Sequence, residues 1–226
     1  MAFGLERLLG ENMPEIGYFG DYVRFVTLDK REAGAFLGAD NVVGDRFSIE
    51  ISYDDGECKA WLVNPFGVRM GVMDDDVADR VDLCNAKGWN TVALLALVAY
   101  TEKPEPGYYW GEVALISYDT SYEEVFSTFI DQIGKKLGSG VRVDLKLGAQ
   151  SLQKLVDEKG SWLPSGRVPL SKKEEGTALV KTERSGTERL VDQASKGNKG
   201  CTVASWIFLL ALVALVVFGL HSCGLF

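Results

Sequence analysis

The chain has 226 residues, with 24 Lys and Arg against 32 Asp and Glu, a formal net charge of −8. That size suits one ordinary domain with a small appendage. The acidic balance disfavours nucleic acid and anionic lipid as general partners, and a single histidine, His221, excludes Ser-His-Asp, Cys-His and His-metal chemistry from all that precedes it.

Charge is uneven along the chain. Residues 1 to 165 hold sixteen basic and twenty-seven acidic residues, a net of −11. Residues 167 to 199 hold eight basic and five acidic ones, a net of +3. Of the four cysteines (Cys58, Cys84, Cys201 and Cys223) none form a C-x-x-C pair.

Residues 1 to 17 read as an N-terminal lead. Phe3, Leu5, Leu8 and Leu9 fit one or two helical turns that Gly10 and Pro14 stop, and Glu6 and Arg7 break any secretory apolar run. Residues 18 to 119 read mainly as strands. Tyr22 to Leu28 is aromatic and β-branched, and Arg46 to Tyr53 alternates Phe47, Ile49 and Ile51 with polar residues. Asp54-Asp55-Gly56 predicts a hairpin turn into Cys58 to Val63. Asn64-Pro65-Phe66-Gly67 breaks that strand, and Val68 to Met73 forms another. A helix follows, with Asp74 as N-cap, Val77, Ala78, Val81 and Cys84 on one face, and Gly88 at its end. Trp89 to Thr101 is thirteen residues long, too short to span a bilayer, and reads as a central strand. Lys103 to Gly107 turns the chain into a strand over Tyr108 to Tyr118.

From Ser121 the period becomes helical. Ser121 and Glu124 fit a capping box, and Tyr122, Val125, Phe126, Phe129, Ile130 and Ile133 share a face that ends at Gly138 to Gly140. Val141 to Leu147 alternates and predicts a strand with one wet face; Ser151 to Lys159 predicts a short helix closed by Gly160. Residues 120 to 165 thus form a helix–strand–helix extension. Residues 166 to 200, rich in Ser, Gly, Thr, Lys and Glu, read as a flexible tether.

Residues 201 to 226 hold the most specific feature. Val203 to Leu220 carries no charge and no proline. Its eighteen residues are close to the roughly 20 that a hydrocarbon core requires. Trp206 suits the headgroup level, and Val203, Leu210, Leu215 and Leu220 mark the apolar length. Lys196 and Lys199 precede the span and no Lys or Arg follows it, so the expected topology is a C-terminal tail anchor with a cytoplasmic head. Cys201 sits where palmitoylation occurs, although an unmodified thiol is the plainer reading.

No residue set specifies a reaction. Asp75, Asp79 and Asp82 share one helical face, but a straight helix does not wrap a cation, and solvated acids near the positive helix end are the plainer reading. The turn carrying Asn64, Phe66 and Arg69, with Trp61, Tyr108, Tyr109 and Trp110, could gather aromatics at a barrel rim as a peptide or stacked-base surface. The candidate binding residues are therefore Trp61, Asn64, Phe66 and Arg69, against the alternative that the aromatics are core.

The run Val68-Arg69-Met70-Gly71-Val72-Met73, leading into the helix Asp75 to Val81, resembles the HIRAN pattern of a strand feeding a helix. Val68, Gly71, Val72 and Ala78 hold the matching positions. Met73-Asp74 replaces the family's usual Leu-Pro, and Asn64-Pro65 lies after the preceding strand rather than before it. The resemblance implies a small β-barrel and, as in some DNA-repair helicases, affinity for free ends of single-stranded DNA. The family's DNA contacts find no counterpart positions in this chain.

The expectation is an α+β protein: a small β-rich barrel-like domain, a helix–strand–helix extension and a C-terminal single transmembrane helix. Its expected role is non-enzymatic and cofactor-free, binding a protein or peptide at the inner face of a lipid bilayer. The alternatives are a membrane-tethered HIRAN-like nucleic-acid binder, and an enzyme using carboxylates or a bound metal.

Overall fold

The computed structural model describes residues 16–186 except 29, 39–40, 55 and 171–175. The chain divides into the units Met1–Arg184 and Ser185–Phe226. The architecture below is that of the first; of the second, only residues 185–186 are described. The N-terminal lead up to residue 15 and the run Val203 to Leu220 lie outside the described residues. Among the described residues no helix is long and apolar enough to cross a membrane.

Six strands close into an antiparallel barrel. They are β1 (Tyr18–Val26), β2 (Arg46–Asp54), β3 (Glu57–Val63), β4 (Arg69–Met73), β5 (Trp89–Thr101) and β6 (Tyr108–Asp119). The order β2-β3-β4-β1-β6-β5 is closed by pairing of β2 back onto β5, Arg46 opposite Leu94 and Ser48 opposite Val92. Helix α1 (Lys30–Leu37) follows β1, and helix α2 (Asp75–Ala86) follows β4. The expected hairpin turn is present: Asp54 pairs with Glu57, and Gly56 takes a φ of 86° that favours glycine.

Alternation sorts the strand residues into two cores. Val23, Phe25, Phe47, Leu62, Met70, Leu95, Val113 and Leu115 fill the barrel. Phe36 of α1 and Val77, Ala78 and Val81 of α2 join them. Phe25 fits because glycines oppose it on both sides: a Cβ on Gly71 would lie 2.9 Å from its ring, and one on Gly111 2.5 Å. The outward residues Leu94, Ala114, Ile116 and Tyr118 form a second core under helix α3 (Glu123–Gly138) and helix α4 (Ala149–Asp157). Buried on both faces, β5 reads as one continuous apolar run. An irregularity between Leu95 and Leu97 shifts its facing partway along.

Three expectations are corrected. Helix α3 does not start on a Ser121–Glu124 capping box. Strand β6 runs on to Asp119, whose carboxylate accepts from the Ser121 N–H at 2.8 Å, and a 3₁₀ turn (Thr120–Tyr122) leads into the helix. Asp74 is the N-cap of α2 as expected, acting through its carbonyl, which accepts from Val77 and Ala78, and not through its side chain.

Val141 to Leu147 is not a strand. Its bridge is the isolated pair Val143 with Arg167; it does not add to β1, although β4 meets that strand only at Phe25 and Val26. The segment instead lies over the outer face of β1, where the Tyr18 hydroxyl donates to the Leu145 carbonyl at 2.9 Å and the Tyr22 hydroxyl to the Val143 carbonyl at 3.0 Å. The extension is helix–loop–helix. Nor is Arg142 on a wet face; it is buried.

Last, the folded chain extends past residue 165. Strand β7 (Thr177–Lys181) pairs with the C-terminal half of β5, from Thr101 back to Val98. Strand β2 covers only Val92 to Leu94 on that side, leaving the rest of this long strand an edge that β7 fills. At the end of β7 the Lys181 ammonium donates to the carbonyls of Gly38 and Asn41, and beyond it the Arg184 guanidinium donates to the Val43 carbonyl at 2.7 Å.

Candidate functional site

The four candidate residues fall on the β3–β4 corner in two different roles. Trp61 lies on the outer face of β3, opposite Glu50 of β2 and Val72 of β4. Its indole N–H donates to the Ser52 hydroxyl at 2.9 Å. Arg69 opens β4, and its guanidinium lies 4.9 Å from the Trp61 ring centroid. The same group grips Glu50 with two hydrogen bonds, 2.6 Å from Nη2 and 3.2 Å from Nε. The bond from Arg69 holds the Glu50 carboxyl below its usual range, and the Arg69 pKa is raised in return. Both groups are solvent-exposed, so the pair positions more than it stabilises. It fixes a flat cation over an aromatic face.

Asn64 builds the turn. It is 7 % exposed. Its side-chain oxygen accepts from the N–H groups of Phe66 and Val68 at 3.0 and 2.9 Å, an Asx turn. Gly67 supplies the positive φ of 78° that closes it. Phe66 is left 74 % exposed at the tip.

The other aromatics do not join this group. Trp61, Val72, Val26 and Trp110 form one cross-strand row, so Trp110 stands three strands from Trp61, about 14 Å at the usual strand spacing. Trp110 is buried: its indole N–H donates to Thr101 at 2.9 Å and Arg24 covers its ring at 4.2 Å. Tyr109 faces the other way and packs tilted against Tyr100, ring centroids 4.8 Å apart. With Tyr108, Thr27 and Leu28 they line a cavity of about 260 Å³ at a barrel mouth.

One feature gave no sequence signal. Arg142, from the segment over β1, reaches Glu112 on the outer face of β6 at 2.6 Å, both side chains under a tenth exposed. Its guanidinium stacks on the Tyr22 ring at 4.1 Å. A cavity of about 320 Å³ beside the pair is bordered by Asp21, Asp144 and Lys146. Alternation placed Arg142 in water, and only the tertiary fold brings Glu112 to it.

The remaining charged groups offer little chemistry. Among the described residues no three His, Cys, Asp or Glu side chains gather as metal ligands would. Burial, then the carboxylates Asp82, Asp79 and Asp75 of α2, push the Cys58 thiol up, away from the reactive thiolate. A hydrogen bond with Asp82 is the main cause that pushes the Tyr53 hydroxyl up to about 12. The cations are partnered locally: Arg46 with Asp131 at 2.7 Å, Lys59 with Glu57 at 3.9 Å and Lys146 with Asp21 at 3.1 Å.

Fold and site together define a class: a closed six-stranded antiparallel barrel with helices, carrying an arginine-covered tryptophan on an outer face that no described helix packs over. Comparison with protein-family models, with curated proteins and with solved structures finds no match for this chain.

Proposed function

We propose that this protein is a membrane-anchored, non-enzymatic binding module whose head engages a protein or peptide through the outer face of β2, β3 and β4, centred on Trp61 and Arg69. One observation carries the reading. The outer face of β5 and β6 is sealed by α3 and α4, whereas the β2–β3–β4 face presents exposed Ser48, Glu50 and Arg69 around half-buried Trp61. An aromatic anchor with a polar rim is the usual composition of a protein contact. The membrane part rests on the uncharged run Val203 to Leu220.

The nucleic-acid alternative needs several cations in one groove. Arg24, Arg46, Lys59 and Arg69 are spread over β1, β2, β3 and β4, and the last three each face a carboxylate. That argues for protein over DNA, as does the net of −11 over residues 1 to 165.

The test is affinity purification of the full chain from gently solubilised membranes, beside Trp61→Ala and Arg69→Glu variants. A partner held by the native chain and lost from both variants is the expected result. The same proteins captured by all three would overturn the reading. So would affinity for single-stranded DNA that is micromolar, needs a free end and is lost in Arg69→Ala, since the expected affinity is weaker than about 10⁻⁴ M.

A further inference from the structure

We infer that the β3–β4 tip, with Phe66 and Val68 at its point, seats in the lipid–water interface of the bilayer to which the chain is anchored. The inference rests on the anchor reading of Val203 to Leu220 and adds where the Trp61 face is held.

The construction of the tip points to an apolar surrounding. Phe66 is 74 % exposed and Val68 51 % exposed, side chains that burial in a core would ordinarily claim. Every backbone N–H of the turn is satisfied within it. Asn64 donates to the Val68 carbonyl and Gly67 to the Asn64 carbonyl, each at 3.0 Å. Phe66 and Val68 donate to the Asn64 side chain. Pro65 has no N–H to satisfy. A turn that leaves no N–H for water loses less at a bilayer surface than one with free donors, provided its remaining carbonyls stay at the hydrated headgroup level. Residues 64 to 68 carry no charge, and the cation that follows, Arg69, is held by Glu50.

The neighbourhood agrees. Strand β1 lies between β4 and β6 and ends at the same rim, where Leu28 is 59 % exposed beside the cavity lined by Tyr100, Tyr108 and Tyr109. Tyrosines suit the headgroup level.

Chain length and charge select the bilayer as occupant. Eighteen residues separate Arg184 from Val203. Fully extended they reach about 60 Å at most, so an anchored chain keeps its head at a high local concentration of lipid and a weak apolar contact suffices. A second copy would set one net of −11 against another. The same charge predicts zwitterionic rather than anionic lipid as the better surface.

The experiment uses the full chain, with Phe66→Trp, reconstituted in phosphatidylcholine vesicles and compared with the native chain. The added tryptophan emission should be quenched by lipid brominated on its acyl chains and shielded from aqueous iodide. Adding Val68→Asp should raise iodide access at position 66 about tenfold, the partition factor of roughly one buried aliphatic side chain. A chain that withstands carbonate washing yet leaves position 66 open to iodide would overturn this inference and leave the anchor reading standing. Shielding that appears only when a partner protein is added would overturn it in favour of a protein pocket for Phe66. A chain washed out by carbonate would overturn both readings.

Discussion

Arg142 and Glu112 show how much one buried contact can hold. Neither is more than a tenth exposed, they meet at 2.6 Å, and the guanidinium stacks on Tyr22. Removing one partner of such a pair strands a charge, at about 3–5 kcal/mol. Arg142→Met should therefore destabilise the fold by about that much, read from chemical denaturation. The double variant Arg142→Met, Glu112→Leu should recover most of the loss, since an apolar replacement of a buried pair is often neutral. A single variant within about 0.5 kcal/mol of the native chain would show that water reaches the pair.

The element with the widest effect for its size is β7. Its five residues cover the free half of the β5 edge. They also complete a buried hydroxyl chain in which Trp110 donates to Thr101, which meets Thr177 at 2.9 Å. A chain ending at Pro169 loses that strand and leaves the β5 edge open to pairing between molecules. It should melt at lower temperature than a chain ending at Ser185, and associate with concentration in light scattering. Equal melting temperatures and a monomer for both would mean that β7 contributes nothing to the barrel.

For the whole molecule the buried tyrosines set an alkaline limit. Burial pushes the Tyr22 and Tyr118 hydroxyls up from 10.0 to about 12, against the pull of Arg142 on Tyr22. The hydrogen bond with Glu123 adds to the rise at Tyr118. The folded state therefore holds these protons more tightly than the unfolded state. The stability they contribute is fully present below the ordinary value of 10.0 and is lost as pH rises through about 12. Denaturation midpoints should be flat from neutral pH to just below 10.0 and fall above it. In Tyr22→Phe that fall should be smaller. A midpoint already falling below that value would assign the loss to other groups.

Local pattern carried β1 to β6, the hairpin, the turn at Asn64 and helices α2, α3 and α4, because each rests on interactions a few residues apart; α1 (Lys30–Leu37) had no reading in the sequence. The Asp55-Gly56 turn needs only a positive φ, the alternation of β2 only one buried face, and α3 only its 3.6-residue period. The same held for the turn at Asn64 to Gly67, where the Asn64 side chain accepts from the N–H groups of Phe66 and Val68. Closure of the barrel, β2 onto β5, joins residues more than forty positions apart, and nothing in either strand names its partner. The fate of Val141 to Leu147 was equally long-range: alternation permits a strand, but the hydroxyls of Tyr18 and Tyr22, more than a hundred positions away, donate to the Leu145 and Val143 carbonyls and lay the segment over the face of β1. The same long-range pairing placed Trp110 three strands from Trp61, buried Arg142 against Glu112 and drew residues 177 to 181 onto the barrel. Charge, length and the apolar run at Val203 are sums over neighbours, which a sequence states outright; a binding face is an arrangement of distant residues, which only the folded chain assembles.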